Sequence, residues 1–328
     1  MILVTGATGF VGQALVSELF SRSIPVKALV RMSSGSLPEE VEQIEIGDLS
    51  ILLESKSSLV DLREKLNNVD VVVHAAARVH MMQDVSDDPL SEFRKVNRDV
   101  TLSLARLAAE AGVKRFVFLS SIKVNGEMTQ EGQVFTPEDK YIPTDPYGLS
   151  KYEAEMGLLK LAEDTGMEVV IIRPPLVYGP GVRANFASMI RWVHKGIPLP
   201  LGAVNNSRSL VALENLVDFL ALCSDRQKSP KASNQVFLIS DGEDVSTTQL
   251  LRKVAKALND KIWLIPVPTG MMVFATNLVG KRNVAKRLFG SLQIDSCKAR
   301  DLLGWTPVIS MDEQLIKMVK VDLEKNDV

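Results

Sequence analysis

Three groups of residues have types and spacings that could do chemistry. The first is Tyr147-Gly148-Leu149-Ser150-Lys151, a phenol and an ammonium four residues apart. Positions i and i+4 share one face of a helix. A tyrosine ionises only near about pH 10, and a neighbouring cation stabilises its phenolate. Tyr147 could therefore exchange a proton with a substrate hydroxyl or carbonyl; the plain alternative is an ordinary amphipathic pair. The second is Ser121, just past an apolar strand expected over 115–120. That places it at the carboxyl edge, where α/β sheets bind ligands. The third is Thr5-Gly6-Ala7-Thr8-Gly9-Phe10-Val11-Gly12, with glycines at i, i+3 and i+6. Glycine lets a backbone turn tightly against a pyrophosphate, and a helix N-terminus offers free N–H groups and the positive end of its dipole.

The elements that must position these groups follow from the pattern of apolar runs. Ile2–Val4, Val26–Val30, Gln43–Ile46, Asp70–His74, Arg115–Ser120 and Val169–Ile172 read as buried strands. Helices are expected from Val11 through Leu19, then over 52–66, 89–111 and 147–165, with Asp145-Pro146 as a helix start. Apolar β-branched runs alternating with helices specify an α/β fold: a Rossmann-like, doubly wound parallel sheet. The glycine loop then lies between the first strand and the first helix, which is the context a dinucleotide site requires. The second strand ends Ala28-Leu29-Val30-Arg31-Met32-Ser33 without the carboxylate that usually holds a ribose 2′-hydroxyl. Arg31 and Ser33 could instead hold a 2′-phosphate, which favours NADP over NAD.

After Arg173 the rhythm changes, with Pro and Gly crowded over 174–181 and 196–202. Such clusters mark loops. They suggest a smaller C-terminal α/β substrate domain made of 174–206 plus roughly 236–328. The dinucleotide-binding domain would be 1–173 plus roughly 207–235. Further helices are expected over 213–223 and 247–258, with a strand over 236–240. Met271–Val279, flanked by Lys281 and Arg282, could touch a membrane surface, but its shortness favours a half-buried helix of the smaller domain.

Composition narrows the function classes. Lys and Arg number 38 against 40 Asp and Glu, so no global positive field exists to hold nucleic acid. Cys223 and Cys297 are too few for a disulfide framework and read as two small buried hydrophobes. His74, His80 and His194 have no metal-ligand spacing, so no metal site is expected. Neither a signal peptide nor an apolar run long enough for stable membrane insertion is visible, and a cytoplasmic enzyme is the default.

Taken together, Thr5–Gly12, Gly47-Asp48-Leu49, His74-Ala75-Ala76-Ala77, Asn97, Ser120-Ser121, Tyr147 with Lys151, and Arg173-Pro174-Pro175-Leu176-Val177-Tyr178-Gly179-Pro180 occur in an order that resembles the extended short-chain dehydrogenase/reductases. The likeness is to their nucleotide-sugar epimerase/dehydratase group and spans almost the whole chain, including Asp295–Arg300 and Leu303–Pro307. The resemblance implies a catalytic set of Ser121, Tyr147 and Lys151, with Tyr147 and Lys151 also at the cofactor. It implies Gly6, Thr8, Gly9, Phe10, Val11 and Gly12 at the pyrophosphate, Asp48 and Leu49 at the adenine, and Ala75, Ala76 and Ala77 beside the ribose. Asn97 would be a supporting polar residue, although Val100 stands where the family often has glycine. Arg208 and Asn185 resemble groups that grip a nucleotide diphosphate, and a helix cap is an equal reading of Asn185. Arg282 and Arg287 are candidates for a second arginine. A homodimer through the helices 89–111 and 147–165 is also implied.

The resemblance further narrows the reaction. Dehydratases of this group carry Asp-Glu directly after the catalytic Ser or Thr; here those positions are Ile122 and Lys123, and an isoleucine cannot transfer a proton. NADPH-dependent reduction of a UDP-4-keto-hexose therefore leads, because of Arg31. The alternatives are a UDP-hexose or UDP-N-acetylhexosamine 4-epimerase with tightly bound NAD, a non-catalytic dinucleotide-sensing protein, and reduction of a non-sugar ketone.

Overall fold

The computed structural model describes residues 1–54, 56–79, 88–182, 185–278 and 282–326. Its centre is a seven-stranded sheet built from β1 (Ile2–Thr5), β2 (Val26–Val30), β3 (Glu42–Glu45), β4 (Val71–His74), β5 (Arg115–Leu119), β6 (Glu168–Arg173) and, later in the chain, β9 (Gln235–Leu238). The spatial order is β3-β2-β1-β4-β5-β6-β9, and every pairing is parallel. The order reverses between β1 and β4, which places the ligand crevice above Thr5 and His74.

The inner strands are mostly apolar because both faces are covered, whereas the edge strand β3 is Glu-Gln-Ile-Glu with only Ile44 buried. Alternate residues face opposite layers. Val4, Val73, Val117 and Val170 join one core with Leu15, Leu216 and Phe219. Leu3, Val72, Phe116 and Ile171 join another with Leu62, Leu104 and Leu158.

The helix Pro146–Thr165 is fixed at both ends. Asp145 accepts a hydrogen bond from the Gly148 amide at 3.0 Å, Pro146 opens the first turn, and Gly166 ends the helix at φ 75°. The helix expected over 89–111 is interrupted. Pro89–Phe93 and Thr101–Glu110 are α-helical, and Arg94–Val100 is a π-helical turn between them. Such turns give no hydrophobic-period signal and occur often at functional sites.

The smaller lobe has a three-stranded sheet, β10-β8-β7, from β7 (Leu176–Tyr178), β8 (Arg208–Ala212) and β10 (Asp244–Val245). Its core is separate and includes Tyr178, Phe186, Leu251 and Leu315. Three features depart from the expected division, the first being that Arg208–Ala212, expected in the dinucleotide-binding domain, pairs within the smaller sheet. Gln235–Leu238 adds to the edge of the main sheet, and Ala299 and Trp305 pack into the main sheet's core. Cys223 is buried as expected, but Cys297 is exposed at the start of the helix Cys297–Leu303.

Candidate active site

The glycine loop packs directly on the chain leaving β4. Gly6 has φ +66°, and a Cβ there would lie 2.6 Å from the Ala76 nitrogen. A Cβ on Gly12 would lie 2.1 Å from the Gly6 carbonyl oxygen. The loop is closed by the Gly9 amide donating to the Gly6 carbonyl at 2.9 Å. Gly9 begins the helix Phe10–Ser21 without any side-chain cap. The first-turn N–H groups thus have no partner from a capping side chain, as an anion site at a helix N-terminus requires. Thr8 and Gly9 are exposed there, whereas Phe10 and Val11 are half-buried and anchor the helix on the core.

Beneath this loop, hydrogen bonds fix one histidine tautomer. Thr101 Oγ1 donates to the Asn97 carbonyl at 2.8 Å, so it accepts from His74 Nε2 at 3.0 Å. His74 Nδ1 is then the acceptor for Thr5 Oγ1 at 2.7 Å. Burial, reinforced by the charge of Lys151, lowers the imidazole to about 3, so it is neutral. Asn97 completes the frame from the π-helical turn. Its amide pairs with both backbone groups of Arg78, at 2.9 and 3.1 Å, and donates to Ser150 Oγ at 3.1 Å. It thereby joins the chain after β4 to the helix carrying Tyr147. Val100 is buried and packs into the sheet core.

Ser121 is the cap of a 3₁₀ turn just past β5, its Oγ accepting from the Lys123 amide at 3.3 Å. Burial pushes the Tyr147 phenol up to about 12, the neighbouring Ser121 hydroxyl opposes that, and the Asp145 charge adds to it. Lys151 is almost completely buried; its Nζ donates to the Leu119 carbonyl at 2.9 Å and lies 4.4 Å from the Phe118 ring centroid. Burial lowers its ammonium to about 7, against the charge of Glu155 one turn further along the helix. Glu155 is itself buried, paired with Arg173 through Nε at 3.0 Å and hydrogen-bonded by Ser120. Arg173 also donates to Asn125 Oδ1 at 3.0 Å. The helix thus lines up Tyr147, Lys151 and Glu155 at i, i+4 and i+8, and the sequence reading had singled out only the first two.

The structure alters the expected environment of Arg31. Its guanidinium is paired with Asp48 at 3.3 Å, with both side chains exposed. The Ser33 amide donates to Glu45 Oε1 at 2.8 Å. Glu45 and Asp48 come from the end of β3 and the turn after it, so reading β2 alone misses the carboxylates beside Arg31. The Asp48 carboxylate is held below its ordinary range, chiefly by the Ser50 amide that it accepts at 2.9 Å. Leu49 is half-buried against the sheet core.

Arg208 lies on β8 in the smaller lobe. Its guanidinium donates to the Arg287 and Gly290 carbonyls at 2.9 and 3.1 Å. Burial lowers its pKa, and among the described residues no carboxylate pairs with it. Asn185 opens the helix Asn185–His194, and its side chain lies outside the described residues, as do His80, Lys281 and the side chain of Arg282. A cavity of about 410 Å³ opens beside the loop after Ser121, walled by Asn125, Glu127, Phe135 and Tyr141 among others. The sequence pattern marks none of its walls, because a long loop without periodicity, residues 125–145, gives no signal for what it encloses. Bridges from Thr129 to Ser291 and from Phe135 to Ile294 tie this loop to the smaller lobe.

The residues present fit a nicotinamide dinucleotide: an uncapped helix N-terminus, a glycine cradle that a Cβ would fill, and a phenol and a lysine beyond the next strands. Comparison with known proteins agrees with this reading. The profile of the NAD dependent epimerase/dehydratase family matches residues 2–239. The chain is 47% identical over 328 residues to a UDP-glucose 4-epimerase of Vibrio cholerae, covering 99% of this chain and 96% of that protein. It is 30% identical over 275 residues to the N-acetyl-alpha-D-glucosaminyl-diphospho-ditrans,octacis-undecaprenol 4-epimerase of Escherichia coli O157:H7, covering 83% and 77%. The fold matches the crystal structure of UDP-glucose 4-epimerase from Thermotoga maritima with UDP-glucose at a TM-score of 0.75 and 23% identity, covering 99% of both chains. The sheet order, the glycine cradle, the half-buried tyrosine with its buried lysine one turn on, and these likenesses make this chain a member of the NAD dependent epimerase/dehydratase family, an enzyme of the extended short-chain dehydrogenase/reductase type.

Proposed function

We propose that the protein interconverts UDP-hexoses by epimerisation at C4, using NAD that is regenerated in each turnover. The observation that carries this reading is the likeness to the Vibrio cholerae UDP-glucose 4-epimerase along nearly the whole chain. It favours epimerisation over the NADPH-dependent reduction that Arg31 suggested. The geometry around Arg31 points the same way. A dianionic 2′-phosphate would have to displace Asp48 from Arg31 and approach Glu45, whereas a ribose hydroxyl can donate to a carboxylate.

Bound NAD would supply the hydride acceptor and donor. Gly6, Gly9 and Gly12 would hold its pyrophosphate, Asp48 and Leu49 its adenosine end, and Ala75, Ala76 and Ala77 would flank a ribose. Tyr147 takes the proton from the C4 hydroxyl and returns it after the keto-sugar has presented its other face. Ser121 orients that hydroxyl. A phenol at about 12 is a weak base near neutrality. The Lys151 ammonium therefore has to remain charged beside it, and Glu155 supports that charge. Arg208, half-buried and without a carboxylate partner among the described residues, is suited to the nucleotide diphosphate, and Asn185 is assigned the same role. Ile122 is packed among Phe135, Leu238, Leu292 and Ile294 and has no proton to offer, so loss of water does not accompany the oxidation. Dimerisation through the helices 89–110 and 146–165 belongs to the same proposal and is read by gel filtration.

The test is incubation with UDP-galactose or UDP-glucose in the absence of added cofactor. Interconversion supports the proposal. Absence of interconversion, with stoichiometric oxidation of NADPH by a UDP-4-keto-hexose, would replace it with the reductase.

A further inference from the structure

We propose that the outward face of residues 263–278 docks the protein onto an anionic lipid bilayer surface. The segment is pinned by its backbone. The Leu199 amide donates to the Trp263 carbonyl at 2.9 Å, and the Ile265 amide donates to the Leu199 carbonyl at 2.8 Å. Alternation then sets the side chains. Leu264 turns inward to the lobe's core, while Trp263 and Ile265 are 67% and 50% exposed.

The chain continues into the helix Thr269–Leu278. Met272 is buried on its inner side. Met271, Phe274 and Leu278, at i, i+3 and i+7, form its outer face and are 65%, 65% and 73% exposed. The helix is half-buried, as the sequence reading expects, but its uncovered half is apolar. The outer face of a soluble helix normally carries charge. This helix, Thr-Gly-Met-Met-Val-Phe-Ala-Thr-Asn-Leu, carries none on any side.

Charge identifies the occupant. In a chain of net charge −2, residues 261–294 contain Lys261, Lys281, Arg282, Lys286 and Arg287 and no Asp or Glu. The helix Arg282–Phe289 comes next in the chain, and on it Arg287 is exposed while the exposed Lys286 reaches Glu127 at 3.4 Å. An exposed tryptophan, an apolar face and a flanking run of bases without acids together match an anionic headgroup layer, into which apolar side chains enter while cations stay at the surface. Among the described residues no helix is long and apolar enough to cross a membrane, so the contact is peripheral.

The experiment is flotation of the whole protein with phosphatidylcholine vesicles, with and without about one-third phosphatidylglycerol. Binding should require phosphatidylglycerol and should weaken about tenfold or more as salt rises from about 0.05 to 0.5 M. Trp263 emission should shift to the blue on binding, and the shift should vanish in Trp263→Phe. Met271→Ser combined with Phe274→Ser should weaken binding about tenfold or more through the lost apolar burial, with the isomerisation rate unchanged. Failure of the native protein to float with anionic vesicles overturns the proposal, as does equal flotation of the double variant. A concentration-dependent dimer abolished by the double variant would show a second copy on this face and would also overturn it. The native flotation and the Trp263 shift do not depend on the variants folding, and neither depends on which sugar is the substrate.

Discussion

The two ends of the candidate cleft are built from different materials. The glycine end is a backbone construction: Gly6, Gly9 and Gly12 lie where the chain passes close to itself, and His74 at the end of the neighbouring strand β4 is held neutral. The tyrosine end is a construction of side chains: the half-buried Tyr147 and the buried Lys151, Glu155 and Arg173 place a phenol, an ammonium and an ion pair on one helix and the strand beside it. Binding a constant anion needs fixed N–H groups and no moving proton. Moving a proton needs groups whose charge can change, and burial displaces their pKa values from the ordinary range. Asn97 joins the two ends, since its one amide touches both the Arg78 backbone and Ser150.

The largest effect should come from the tyrosine end. Tyr147→Phe should lower the isomerisation rate about 10²–10⁴-fold while leaving cofactor content and melting temperature close to native. Loss of bound cofactor in that variant would mean the two ends are not separable. Gly12→Ala should do the reverse: its new Cβ meets the Gly6 carbonyl, costing about 2–4 kcal/mol of stability and releasing cofactor. A Gly12→Ala protein that retains cofactor would show that the close approach is not needed. Asn97→Ala should cost about 1–3 kcal/mol by stranding buried partners, with activity falling further than melting temperature alone explains.

Acidification should separate the ends by pH window. A lysine lowered from 10.5 to about 7 has its ammonium disfavoured by folding. Its contribution to stability is fully favourable above about pH 10.5 and is lost as pH falls towards 7. His74, lowered from 6.5 to about 3, contributes stability above about pH 6.5 that is lost as pH falls towards 3. Lys151→Met should remove the upper window and leave the lower one, read by denaturation of the cofactor-free protein across pH. The smallest effect should be at the exposed rim. An Arg31→Ala change removes a surface ion pair of about 0–1 kcal/mol and should change NAD affinity little. A large loss of NADPH binding alone would restore the 2′-phosphate role.

The contrast also explains what was legible in the sequence. The parallel strands and the glycine loop declare themselves through local patterns: apolar runs, and glycines between a strand and a helix. Tyr147 and Lys151 are visible because four residues is one helical turn. Glu155 shares their helix, but its partner Arg173 lies on another element, so nothing local marks the pair as buried. The carboxylates at Arg31 were missed because Glu45 and Asp48 come from the neighbouring strand and turn, and their proximity is a property of sheet order. The π-helical turn at Arg94–Val100 leaves no mark on the apolar pattern, and at Met271 and Phe274 the sequence offers both a membrane contact and a half-buried helix because periodicity does not report which side is covered.

The central claim is that the cleft uses NAD it keeps. The most direct test is to add UDP-galactose to the purified protein without cofactor, follow UDP-glucose, and record reduced-nicotinamide absorbance in the same cuvette. Many turnovers of product are expected, with any absorbance change limited to the amount of enzyme present. Product that appears only with added NADPH, consumed mole for mole, would contradict it.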